Sequence, residues 1–106
     1  MTTVTYPITP ADAATVTADL HTLPAARIVS RDSVAHVFVT TLDDLNAWLE
    51  ACGGYTTRDH AAGGLTTWML RTHTGPRDDG SRTPIRVHTT VLDEEMVPDE
   101  LTNALA

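Results

Sequence analysis

The segment from Val34 to Gly54 constrains the fold more than any other part of the sequence. In Val34–Thr40, apolar residues occupy both alternating faces, which predicts an interior strand covered on both sides. Leu42–Cys52 then places leucine, tryptophan and cysteine side chains at helical spacing, behind a threonine N-cap and two first-turn aspartates. A glycine pair, Gly53-Gly54, ends the helix. A strand followed by an amphipathic helix predicts a helix packed on a sheet.

The remaining segments extend this sheet and add helices. The alanine-rich segment 10–22 predicts a helix, because Thr9 offers an N-cap and Pro10 fits the first helical position. Further strands are predicted at residues 27–31, 55–59, 65–74 and 83–92. A tight turn at Asp32 joins the first of them to Val34, and a short terminal helix is predicted from Val97. The predicted fold class is α+β, with a four- to five-stranded, mostly antiparallel sheet and two to three short helices on one face.

Length and composition fit one domain. At 106 residues with 42% hydrophobic side chains, the chain can fold without disulfides. We expect a single domain over residues 1–106, with an extended N-terminus at 1–8 and an acidic segment at 93–106. Cys52 is the single cysteine and lies on the apolar stripe of its helix, which favours a structural role. The N-terminus does not resemble a leader, and no apolar run approaches roughly 20 residues. We therefore expect a cytoplasmic protein without membrane contact.

The charges are unusual in type and in distribution. All seven basic residues are arginine, and this bias suggests a GC-rich coding sequence such as that of an actinomycete or an actinophage. Residues 93–106 carry a net charge of −5, whereas residues 1–92 carry −2. Binding to a phosphate backbone needs a basic footprint, so direct nucleic-acid binding is not expected.

One stretch resembles a known module. His36-Val-Phe-Val39 followed by Leu42–Gly54 resembles the opening of a βαβββ module of the vicinal oxygen chelate superfamily, which includes glyoxalases and bleomycin-resistance proteins. The resemblance covers residues 34–92. It implies that His36 matches a metal ligand on the first strand, while His88 stands on the last strand, where metal-dependent members carry a glutamate. Two modules close a site in that family, so the resemblance implies a dimer that binds a metal or a small molecule.

The histidines give no independent metal motif. The chain has five histidines, but none is paired at helical i, i+4 spacing, and Cys-x-x-Cys is absent. If the loop at residues 75–82 closes a regular hairpin, His73 and His88 become cross-strand neighbours, and a site of two histidines on adjacent strands stays possible. We otherwise expect half-buried histidines on a threonine-rich sheet, with no metal and no cofactor.

The sequence therefore predicts a non-enzymatic interaction module, a homodimer that binds another protein. The polar loop after the fourth strand and the acidic segment offer the recognition groups. The predicted contact residues are Arg77, Asp78, Asp79, Arg82, Asp93, Glu94 and Glu95. One alternative is a glyoxalase-like dimer in which His36 and His88 hold a metal or small molecule in a shared concavity. A further alternative is an acidic inhibitor of a nucleic-acid-binding protein.

Overall fold

A computed structural model describes residues 9–61, 63–76 and 80–92. The elements run in the order α1 (Pro10–His21), β1 (Arg27–Arg31), β2 (Val34–Phe38), α2 (Leu42–Cys52), β3 (Tyr55–Ala61), β4 (Leu65–His73) and β5 (Pro84–Leu92). The extended N-terminus predicted at 1–8 and the helix predicted from Val97 lie outside the described residues. Within the described part, no helix is long and apolar enough to cross a membrane.

The five strands form one sheet in the order β1-β2-β5-β4-β3. All neighbours are antiparallel except β2 and β5, which run parallel. The parallel pair arises because β2 leads into α2, and the chain then returns through β3 and β4 before β5 adds beside β2. This confirms the predicted α+β class and the mostly antiparallel sheet.

Local sequence signals explain how the helices begin and end. At the start of α1, the Oγ1 atom of Thr9 accepts a hydrogen bond from the Asp12 amide at 3.1 Å, and the Asp12 carboxylate accepts from the Thr9 amide at 3.3 Å. At the start of α2, Thr41 Oγ1 accepts from the Asp44 amide at 3.1 Å. Gly53 ends α2 with a φ of +75°, a left-handed value that glycine adopts readily.

Both helices pack on the same face of the sheet. The buried core joins residues from both helices to alternate residues of the three central strands, namely Ala14, Ala18, Leu45, Trp48, Ala35, Val37, Leu70, Ile85 and Val87. Trp48 is fully buried, and its Nε1 donates a hydrogen bond to the Pro24 carbonyl oxygen at 2.7 Å. Burial also raises the pKa of the Cys52 thiol, which agrees with a structural role.

The opposite face of the sheet carries no described helix, which corrects one sequence expectation. The strand β2 was predicted to be covered on both faces. It is interior in the sheet, but Val34 and His36 are only half-buried and Phe38 is exposed. Within the described ranges, the apolar residues on both faces of β2 therefore do not mark two covering layers, because α1 and α2 lie on one side.

The predicted hairpin between β1 and β2 is present. Arg31 pairs with Val34 across a two-residue turn. The turn residues Asp32 and Ser33 have φ values of +53° and +64°, as a type I′ turn requires. This tight turn fixes the register of β1 and leaves its alternate residues on the same face as His36 and Phe38.

Candidate functional site

The candidate site is the sheet face on which the described residues place no helix, and this face is named the uncovered face. Side chains alternate along each strand, so the residues between the core positions point to this face. Two adjacent rows of paired residues cross it. The first row is Val29, His36, Arg86, Arg71 and Tyr55, and the second is Arg27, Phe38, His88, Met69 and Thr57.

Two imidazoles meet at the centre of this face. The Nδ1 atom of His36 lies 2.9 Å from the Nε2 atom of His88, and the ring centroids are 5.1 Å apart with an interplanar angle of 17°. The parallel pairing of β2 with β5 creates this contact, because it sets His36 beside Arg86 and His88 two residues further along. The two residues are 52 positions apart in the sequence.

The pair favours neutral imidazoles. At this separation one nitrogen must donate its hydrogen and the other must accept it. Desolvation lowers the pKa of His36, and the nearby Arg86 and Arg31 lower it further, against a smaller opposing effect of Asp32. Desolvation also lowers the pKa of His88, followed by the effects of His36 and Arg86. The pair therefore resists protonation and can donate or accept hydrogen bonds at neutral pH.

An exposed aromatic ring extends the histidine pair. The ring centroid of Phe38 lies 5.1 Å from that of His88, with an interplanar angle of 22°. Phe38 and Leu92 are exposed, whereas Val34 and Met69 are half-buried on the same face. Phe38 and Met69 both pair with His88 in the second row, so accessible apolar atoms adjoin the histidine pair.

Arginines concentrate on the uncovered face. Of the described arginines, Arg27, Arg31, Arg71 and Arg86 occupy its strand positions. The only carboxylate at a described strand position of this face is that of Asp59, on the edge strand β3. The helices on the other side carry most of the described acids, namely Asp12, Asp19, Asp43, Asp44 and Glu50. The described part of the molecule is therefore basic on one side and acidic on the other.

A scan of protein-family models found no match to this chain, and comparisons with curated proteins and with solved structures found none either.

Of the predicted loop and tail residues, only Arg82 is described. Arg77, Asp78, Asp79, Asp93, Glu94 and Glu95 lie outside the described residues, so their assignment stays a prediction. His73 Nδ1 lies 2.9 Å from the Thr74 carbonyl oxygen and must donate to it, which leaves Nε2 as the acceptor for Arg82 Nη1 at 3.3 Å. Arg82 and His73 line a cavity of about 260 Å³ beside Cys52 and α1. This cavity is on the helix side, away from His36 and His88.

The predicted histidine relationships are partly corrected. His73 pairs with Pro84, and His88 pairs with Met69, so His73 and His88 are not cross-strand neighbours. The register shifts them apart because β5 begins only at Pro84, and His73 lies at the far end of β4. In contrast, His36 and His88 are in direct contact.

The described residues do not assemble a complete metal site within one chain. No group of three or more histidine, cysteine or carboxylate side chains in the described ranges could hold a metal ion. His36 and His88 can supply two ligand nitrogens at most. A metal held by this pair would need further ligands from water, from a second copy or from outside the described part.

Sequence reasoning missed the arginine grouping. Arg86 lies on a predicted strand in phase with His88 and Thr90, and this phase could have assigned it to the wet face. Arg71 shares its phase with Leu65 and Met69, so the sequence pattern does not mark it in the same way. The pairing of Arg71 with Arg86 depends on the register of β4 and β5, which the sequence does not determine. The arginines of β1 join this group only because the strand order places β1 and β2 beside β5.

Proposed function

We propose that this chain is a non-enzymatic interaction module whose uncovered face binds an acidic segment of another protein. The observation that carries the proposal is the segregation of charge: the uncovered face holds four arginines around an accessible apolar and aromatic centre. Guanidinium groups form strong, often bidentate, hydrogen bonds with carboxylates.

The composition of the surface fits a protein partner. Interfaces between proteins are enriched in arginine, aromatic residues and methionine around a partly apolar centre. Here Phe38, Met69 and the histidine pair form that centre, and Arg27 and Arg86 adjoin it. A segment that alternates acidic and apolar residues complements both features.

The charges also bear on self-association. Two uncovered faces placed against each other would bring their arginines together, which is unfavourable without an anion between them. A homodimer, which stays a prediction along with the cytoplasmic location, would therefore use another surface. The exposed edge strand β3 is the best-placed alternative, because every one of its residues is exposed.

The test is a titration of the isotopically labelled full chain with an acidic peptide, followed by NMR. The probe alternates glutamate with leucine, and the control peptide alternates lysine with leucine. We expect the glutamate peptide to shift the signals of β2 and β5 around His36, Phe38 and His88, with affinity falling as salt is added. Shifts confined to the helix side, or none at low salt, would contradict the proposal.

The contact between His36 and His88 favours a second candidate, the glyoxalase-like dimer that binds a metal or small molecule. Two ligand nitrogens bound to one zinc ion lie roughly 3 Å apart, and these two are 2.9 Å apart. The positive potential of Arg31 and Arg86 opposes a cation here, which ranks this candidate second.

Light scattering with and without zinc, together with metal analysis, tests the second candidate. It requires a stoichiometric metal in a dimer, lost in His36→Gln and in His88→Gln. A monomer indifferent to zinc would exclude it.

The inhibitor function stays a prediction, because the acids of residues 93–100 lie outside the described ranges. It requires salt-sensitive binding to a basic nucleic-acid-binding protein. That binding should disappear when Asp93, Glu94, Glu95, Asp99 and Glu100 are changed to their amides.

A further inference from the structure

We infer that Arg71 and Arg86 together form an oxyanion site that holds a carboxylate side chain of the acidic partner. The inference rests on the proposed function, because it names the anchoring contact on the same face. The two arginines pair directly across β4 and β5. Directly paired residues on antiparallel strands place their Cβ atoms about 4.5–5.5 Å apart, so two guanidinium groups can reach one anion.

The two arginines lack a compensating charge among the described residues. Both are half-buried, and no carboxylate in the described ranges forms an ion pair with either of them. Like charges placed directly opposite each other on a sheet are destabilising. A bound oxyanion would attract both guanidinium groups and offset their mutual repulsion. Anion binding therefore accounts for the arginine pair, whereas packing does not.

The residues that flank Arg71 and Arg86 in the first row of the uncovered face can also bind an oxyanion. His36 pairs with Arg86 on one side, and Tyr55 pairs with Arg71 on the other. An imidazole N–H and a phenol O–H are hydrogen-bond donors that complement carboxylate oxygens. The row from His36 to Tyr55 thus contains four consecutive side chains that can donate to an anion and none that carries a negative charge.

The histidine pair reports on occupancy of the site. Arg86 lowers the pKa of both His36 and His88. An anion bound at Arg86 offsets that charge, so both pKa values should rise when the site is filled. If the arginines had only a structural role, anion binding would not change the pKa values of His36 and His88.

The experiment measures two probes against four forms of the full chain by NMR. The probes are inorganic phosphate, as a minimal oxyanion, and the glutamate-leucine peptide. The forms are the parent, the double variant Arg71→Gln/Arg86→Gln, the double variant Arg71→Lys/Arg86→Lys, and the control Arg58→Gln. Arg58 lies over the Trp68 ring at 5.5 Å on the opposite face, so the control removes a charge outside the proposed site.

We expect the glutamine double variant to lose at least about tenfold in affinity for both probes, since it removes charged hydrogen bonds. The lysine variant should retain part of the affinity, because it keeps the charge but loses the bidentate geometry. Arg58→Gln should change affinity less than about twofold. Binding of either probe should raise the pKa of His36 and His88 in the parent and in Arg58→Gln, and should leave both pKa values unchanged in the glutamine double variant.

The outcomes separate the two proposals. An equal loss in Arg58→Gln and in the glutamine double variant overturns the site, because binding then follows overall charge. Peptide binding that survives in the double variant overturns the site and leaves the proposed function standing. Phosphate binding that depends on Arg71 and Arg86, without any peptide binding by the parent, keeps the two arginines as an oxyanion site. That result overturns the proposed function and, with it, a partner carboxylate as the ligand.

Discussion

The helix-covered face and the uncovered face of the sheet differ in what their side chains contact, although the same strands supply both. Along β5, Ile85 and Val87 are fully buried against the helices, while Arg86 and His88 alternate with them on the uncovered face. The covered face excludes water from aliphatic side chains, which is the main source of stability. The uncovered face instead gathers arginines and imidazoles.

The period of the strand therefore separates the side chains that stabilise the fold from those of the proposed binding surface. Substitutions on the covered face should change the free energy of unfolding without changing the binding surface. Substitutions on the uncovered face should do the opposite. Single substitutions test that separation, and the largest expected effect is on the covered face.

Trp48→Ala should destabilise the fold most. Trp48 is fully buried, and its Nε1–H donates to the Pro24 carbonyl oxygen, so the variant loses both packing and a hydrogen bond. We expect a loss of about 3–5 kcal/mol in the free energy of unfolding, measured by urea denaturation followed by circular dichroism. The matched control Phe38→Ala removes an exposed ring and should cost about 0.5 kcal/mol. If Trp48→Ala and Phe38→Ala lost the same free energy of unfolding, the Phe38 ring would be packed in solution.

Gly54→Ala should have the next largest effect. Gly54 has a φ of +103°, and a Cβ atom there would overlap the Arg71 carbonyl oxygen of β4. We expect a loss of about 3 kcal/mol, from the left-handed backbone and from the displaced strand.

Gly53→Ala separates these two causes. Gly53 also has a positive φ, of +75°, but a Cβ atom there meets no other atom within 4 Å. It should cost about 1–3 kcal/mol from the backbone alone, because a φ of 75° with a ψ of −161° is a conformation that residues other than glycine rarely adopt. If both variants lose the same stability in urea denaturation, the close approach of Gly54 to β4 is absent.

The local elements could be predicted from the sequence because their signals are local. Thr41, the spacing of Leu45 and Trp48, and Gly53 predict α2, and all of them lie within one short segment. The positive φ values of Asp32 and Ser33 belong to a turn whose ends are sequence neighbours. These interactions do not depend on the rest of the fold.

The candidate site could not be predicted in the same way. Its central contact joins His36 to His88, 52 positions away, and exists only because β5 inserts between β2 and β4. The resemblance singled out both histidines, but their contact follows from the parallel register of β2 and β5. The grouping of Arg71 with Arg86 needs a second register, that of β4 and β5. Pairings over such distances are not encoded in any one segment.

Thr89→Val should stabilise the fold. Thr89 is buried on the covered face, and its Oγ1 atom has no hydrogen-bond partner within the described structure. Valine has nearly the same shape and no hydroxyl, so we expect a gain of about 1 kcal/mol in urea denaturation.

Thr90→Val is the matched control on the uncovered face. Thr90 is exposed, and its Oγ1 lies 3.2 Å from that of Thr67. The change should alter stability by no more than about 0.5 kcal/mol. A gain as large as that of Thr89→Val would indicate that β propensity, rather than an unsatisfied hydroxyl, causes the effect.

The smallest effect should be a dependence of stability on pH that originates on the uncovered face. The folded pKa values of His36 and His88 are lowered, first by desolvation and then by neighbouring charges. The unfolded chain, with histidine pKa values of about 6.5, therefore binds more protons than the folded chain in the pH window below that value. Stability is fully present above about pH 6.5 and falls as the pH drops toward the folded pKa values. Urea midpoints between about pH 7.5 and pH 5.5 measure this slope.

Two variants locate the origin of the slope. His88→Gln removes one member of the pair and should flatten it. Arg86→Gln keeps both imidazoles but removes a charge that lowers both pKa values, so it should flatten the slope in part. Arg58→Gln, which removes the same charge on the opposite face, should leave the slope as in the parent. If Arg86→Gln behaves like Arg58→Gln, desolvation alone sets the pKa values, and the arginines and histidines of the uncovered face act independently.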